Sequence, residues 1–174
     1  MEAVQILGKE GIADDRIADI LISRWPYAEG GHRSDLLKAL TRSHTESGAA
    51  FLLERALDPE EEMEMRNIAV TLLPNFGEVA VPMIIELWRE QPSYGMAQIV
   101  VPGLGRFADV PAARELLVEL ASSPKVDDRI RRDTLGLIPV IFKKEGYEIL
   151  MQVAAVDQRA DIVRYVEPIL TAYY

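Results

Sequence analysis

His32 and His44 are the side chains best suited to metal ligation or to proton transfer near neutral pH, and the chain has no cysteine. Twelve residues separate them, about 120° around a helix, so they do not share a face. No HExxH pair accompanies them, and no Asp-rich calcium loop or GxSxG elbow occurs. Without cysteine there are no disulfides, thiolate metal sites or thiol nucleophiles. The acidic run PEEEME, residues 59–64, places carboxylates where a first helical turn favours negative charge, which explains them without a catalytic role. GLGRFAD has two glycines but neither a preceding strand nor a following lysine, so it is not a phosphate loop. Gly103 and Gly105 are instead expected to permit close helix packing or to mark a weakened helix end. The expectation is a protein without catalytic residues, metal or cofactor.

The elements that would position any other site are helices. Period-two alternation is rare, and Asn-Gly and Asp-Gly hairpin turns are absent. Helix starts are frequent. Asp14, Ser93, Asp109, either Asp127 or Asp128, and Asp157 stand at N-cap positions, and Asp58-Pro59-Glu60-Glu61 reads as cap, N1 proline and capping-box acid. Gly30, Gly31, Gly77 and Gly146 stand where helices should stop. These signals predict about ten helices in pairs. The first members cover 13–25, 47–57, 78–90, 110–122 and 146–156. The second members cover 33–44, 60–75, 94–107, 127–143 and 158–172. Pro74, Pro102, Pro139 and Pro168 fall inside the second members and should bend them.

An aliphatic doublet recurs in every first member: Ile20-Leu21, Leu52-Leu53, Ile84-Ile85, Leu116-Leu117 and Ile149-Leu150, at intervals of 32, 32, 32 and 33 residues. The second members align as well. Starting from Arg33, Arg66, Ala97, Arg132 and Val163, the third residue on is Leu36, Ala69, Val100, Leu135 or Val166. A register one residue away fits the fourth and fifth copies as well. A two-helix unit of this length cannot bury its apolar face alone, whereas stacked copies cover one another. The expected architecture is all-α, an α-α superhelix of about five helix pairs in a single domain, with repeats near 13–44, 45–76, 77–107, 108–143 and 144–174.

VPMIIELWRE, EMRNIAVTLL and DDRIRRDTLGLI resemble the helices of HEAT-like repeats in their short bacterial form, with Met65-Arg66-Ala69-Leu73 and Ile130-Arg131-Thr134-Ile138 filling the second-helix rhythm. The resemblance implies a binding surface on the concave face, lined by second helices. That face would present Met65, Arg66, Met96 and Arg132, with Asn67, Gln98, Arg106, Arg131 and Asp133 as the partner-binding set. The segments 97–107 and 134–142 are apolar nearly all round, which requires either burial or a partner.

Composition narrows the function. The chain of 174 residues is 49% apolar, and its net charge of −9 opposes a phosphate-backbone grip and favours a basic protein partner or solubility. MEAVQILGKEG lacks a signal-peptide pattern, and no run approaches 18 consecutive apolar residues, so a cytoplasmic chain without a membrane span is expected. The leading expectation is a non-enzymatic protein-binding module. A narrower version is a bacterial immunity protein that neutralises a basic toxin domain. The competing class is a HEAT-like DNA glycosylase, which would require a basic groove.

Overall fold

The computed structural model describes residues 15–156 and 160–173, and among them it contains ten α-helices and no strand. The helices fall into two compact units, Met1–Gln91 and Pro92–Tyr174. The caps expected at Asp14 and Asp157 lie outside the described residues.

The first unit contains α1 (Asp15–Arg24), α2 (Gly31–Leu40), α3 (Glu46–Leu57), α4 (Met63–Leu72) and α5 (Val81–Glu90). Tight 3-10 turns cover Trp25–Tyr27, Thr41–Ser43 and Leu73–Ala80. Odd helices pack on odd, α1 on α3 and α3 on α5, while α2 packs on α4. The doublets Leu52-Leu53 and Ile84 are buried, and Ile85 is half-buried. Ile20 departs from the expectation, with half of its surface exposed (50%) while Leu21 is buried. Leu36 and Ala69, at equivalent positions of α2 and α4, are both buried.

The segment 58–62 differs from its expected role as a helix start. Asp58 closes α3 instead, and its side chain accepts a hydrogen bond from the Glu60 amide at 2.9 Å, a local turn that asparagine and aspartate favour. Glu61 turns inward. Its side chain is only 4% exposed and pairs with Arg33 at 3.1 Å and Arg55 at 3.5 Å. Arg33 also lies over the Trp25 ring, and Arg55 over Phe51. Trp25 and Phe51 meet edge to face at 5.4 Å. One buried carboxylate thus ties a loop to two helices through cations that rest on aromatic faces.

The run 63–90 holds a window of mean hydropathy 1.7. It is not one helix, because Gly77 breaks it with φ 82°, inside the left-handed region that glycine enters without a Cβ clash. Pro74 accordingly lies in the 3-10 segment, not inside a second helix as expected. The apolar residues of the run, among them Leu73, Phe76, Val81, Ile84 and Leu87, are buried in the unit.

Gly48 is the tightest point of this unit. A Cβ there would stand 2.7 Å from a Phe76 ring atom and 3.1 Å from the hydroxyls of Ser43 and Thr45. Thr45 is also the N-cap of α3, accepting from the Gly48 amide at 3.2 Å. Gly48→Ala should therefore destabilise by about 1–3 kcal/mol, although alanine is the better helix former by about 1 kcal/mol. A urea titration showing increased stability would mean that Phe76 yields freely.

The second unit contains α6 (Tyr94–Gly105), α7 (Pro111–Ser122), α8 (Asp128–Phe142), α9 (Lys144–Val156) and α10 (Ala160–Tyr173). Here α7 packs on α9, and the even helices run α6 on α8 and α8 on α10. Leu116, Leu117, Ile149 and Leu150 are buried, as are Val100, Leu135 and Val166 on the even helices. Pro102, Pro139 and Pro168 do lie inside α6, α8 and α10. Ser93 caps α6 through the Met96 amide, and Asp127 caps α8 through the amides of Arg129 and Ile130. Two expectations fail. Asp109 does not cap α7, whose N-cap is Val110 with Pro111 following, and Gly146 lies in the first turn of α9 rather than at a helix end. Gly105 does allow close packing, since a Cβ there would meet the Ile141 side chain at 3.0 Å.

Candidate binding surface

In the second unit α6 and α8 face each other with side chains spaced for contact. Tyr94, Ala97, Gln98, Val101 and Pro102 follow at intervals of three and four along α6, as do Ile130, Asp133, Thr134 and Leu137 along α8. Each set forms one stripe of a helix. Between the stripes lies a cavity of about 240 Å³, lined by these nine residues.

Its apolar lining is Ala97, Val101, Pro102, Ile130 and Leu137. Its polar side chains are ordered by hydrogen bonds. The Tyr94 hydroxyl donates to Asp133 Oδ2 at 2.7 Å, and Gln98 Nε2 donates to the same hydroxyl at 3.2 Å. The Arg129 guanidinium lies 3.8 Å from the Tyr94 ring centre, a cation–π contact. Pro102 has no amide hydrogen, so the Gln98 carbonyl one turn earlier lacks its helical donor. The cleft brings apolar side chains, a carboxylate and an amide together in one place. That is a surface for hydrogen bonding and apolar contact.

Two members of the expected partner-binding set, Gln98 and Asp133, meet here. Arg106 is exposed beside Phe107 and lines a second cavity of the same unit. Asn67 is exposed on α4 of the first unit, its carbonyl accepting from Thr71. Tyr94 and Arg129 were not anticipated. Tyr94 stands four residues before Gln98, directly after the Ser93 cap, and that spacing was the available signal.

Arg131 corrects the sequence expectation. It is fully buried, 0% exposed, and cannot present a contact surface. Its Nη2 donates to the Ser122 carbonyl at the end of α7, and Nη1 lies 3.6 Å from Asp128. Arg66 does the same work in the first unit, donating from Nε to the Ala56 carbonyl near the end of α3. Arg33 donates to the Ala28 carbonyl after the turn that follows α1. The last carbonyls of a helix lack intrahelical donors, and a cation at that end also complements the dipole. Arg33, Arg66 and Arg131 thus each clasp a carbonyl at or just beyond the end of the preceding helix. Met65, expected on the surface, is buried too.

The two all-round apolar segments are largely interior. Val100, Leu104, Leu135, Ile138 and Phe142 are buried, whereas Pro102 and Val140 (61%) are exposed. No group of three His, Asp or Glu side chains arranged to hold a metal occurs among the described residues. No protein-family model matches this chain, and neither a curated protein nor a solved structure matches it.

Proposed function

We propose that this chain is a HEAT-like helical-repeat module that binds another protein, with the α6–α8 cleft as the principal contact. Three features support the repeat reading: the recurring buried positions, the odd-on-odd and even-on-even packing within each unit, and the arginine clasp. The observation that carries the binding reading is the cleft itself, whose apolar side chains stand together with Tyr94, Gln98 and Asp133. Interfaces concentrate their affinity in such places, where an aromatic group and a few polar groups surround a dry pocket.

The partner is a basic protein. Residues 1–91 carry nine Lys and Arg against 17 Asp and Glu, and residues 92–174 carry ten against eleven, giving −8 and −1 of the net −9. An acidic first unit steers a basic partner and raises its encounter rate. Neutralisation of a basic toxin domain is the narrower form of this reading. The glycosylase alternative gains no support, since Arg66 and Arg131 serve helix ends instead of lining a basic groove.

The test places a photo-crosslinking residue at Gln98 and, as a control, at exposed Glu119 of α7. A protein adduct should form at position 98 and not at 119. The captured protein is then titrated against Asp133→Lys, which should weaken binding about tenfold or more with an unchanged melting curve. Equal adducts at both positions, or unchanged affinity with a native melt, would place the contact elsewhere.

A further inference from the structure

A second cavity of the second unit, about 520 Å³, lies where α6 and α8 end and α7 and α9 begin. Arg106, Arg114, Lys143 and Lys144 line it, opposed by Asp109 and Glu145. Four cations against two carboxylates invert the sign of a chain whose net charge is −9. We propose that this cavity binds the phosphate groups of a small polyphosphorylated molecule. The proposal stands apart from the α6–α8 cleft and from the protein-binding reading.

Three observations converge. The first is the charge balance within a concave space, where low-dielectric walls strengthen the attraction for an anion. An excess of two cations suits a multiply charged anion better than a single carboxylate. The volume lies in the range of small-molecule sites and exceeds the needs of one phosphate.

The second is preorganisation. The Arg114 guanidinium rests 4.9 Å from the Phe142 ring centre and pairs with Glu145 at 2.6 Å, so the cation is already held in place. Lys144 and Glu145 belong to the first turn of α9, whose leading amides have no intrahelical acceptors and whose dipole favours an anion. A planar, prepositioned guanidinium suits phosphate oxygens.

The third is Lys143. Its backbone has φ 51° and ψ −123°. Gly30 adopts almost the same angles, φ 50° and ψ −130°, before α2. Glycine enters this conformation freely, whereas a residue with a Cβ is strained there. The chain uses glycine at the first place and tolerates a lysine at the second, which lines the cavity. Strain of this kind collects where a side chain is needed.

The experiment is a calorimetric titration of the full chain with inorganic pyrophosphate at low salt, with poly-glutamate as a second ligand. Pyrophosphate should bind saturably at one site and weaken as salt is added, as charges within a Debye length do. Lys143→Gly should weaken it about fivefold or more while raising the melting temperature, because strain is relieved and a cation is lost together. Lys144→Ala, an exposed change that spares the fold, should weaken it comparably. Lys125→Ala, outside the cavity, should change nothing. Absence of saturable binding would overturn the proposal. So would equal weakening by Lys125→Ala, or poly-glutamate binding as tightly as pyrophosphate, which would make this a site for acidic peptide.

Discussion

Truncating Leu117 to alanine lowers the stability of the protein by about 2–5 kcal/mol, the cost of a core cavity where neighbours close only partly. Leu117 is the second residue of its aliphatic doublet and has no exposed surface. Its surroundings on α7 are equally enclosed, with Ala113, Leu116, Leu120 and Ala121 all buried. The helix packs against α6, α8 and α9, and although Glu115 and Glu119 face solvent, Leu117 lies on the enclosed side. The comparison that gives the result meaning is Ile20→Ala. Ile20 belongs to a doublet of the same repeat pattern yet is half exposed, so its truncation should cost about 1 kcal/mol or less. Urea unfolding of both variants beside the parent chain measures the difference. Equal losses at the two positions would mean that the doublet does not mark the packed face.

Much of the fold was legible because its signals are local and repeated. Ser93 and Asp127 stand where helices begin, and each side chain accepts the amides that a cap must accept. The doublets report burial for most of their members, Leu21, Leu52, Leu53, Ile84, Leu116, Leu117, Ile149 and Leu150, while Ile20 and Ile85 depart from the pattern. The misreadings share a different cause. Asp58-Pro59-Glu60-Glu61 has the composition of a helix start, but Arg33 and Arg55 draw Glu61 inward, and the helix opens later at Met63. That pull comes from residues distant in sequence, which no local pattern records. The candidate site was legible only in part for a similar reason. Gln98 and Asp133 are polar residues on helix stripes and could be recognised as exposed, whereas the role of Tyr94 depends on Asp133, 39 residues away. Arg131 misled because arginine is common on binding surfaces, while a carbonyl at the end of the preceding helix leaves no trace in composition.

Arg131 therefore yields the sharpest contrast between two substitutions at one position. Arg131→Glu places a carboxylate in a site with no exposed surface, beside Asp128, and removes the donor to the Ser122 carbonyl. Burying an unpaired charge is among the costliest single changes, and a like charge nearby adds to it. The loss should exceed about 4 kcal/mol, and the helices of the second unit should melt well below those of the parent. Arg131→Met keeps the long aliphatic stem that fills the site and removes only the charge and its hydrogen bonds. Methionine needs no charge partner, so the cost should be about 1–2 kcal/mol, that of the lost bonds to the carbonyl. Helical circular dichroism followed through a thermal melt separates the three proteins, in the order parent, Met variant, Glu variant. If Arg131→Glu melted like the parent, the guanidinium would lie in solvent and Arg131 would return to the contact surface that the sequence alone suggested. If the Met variant fell as far as the Glu variant, the clasp on the α7 carboxyl end, and not burial of charge, would dominate, and Arg66→Met should then produce the same loss in the first unit.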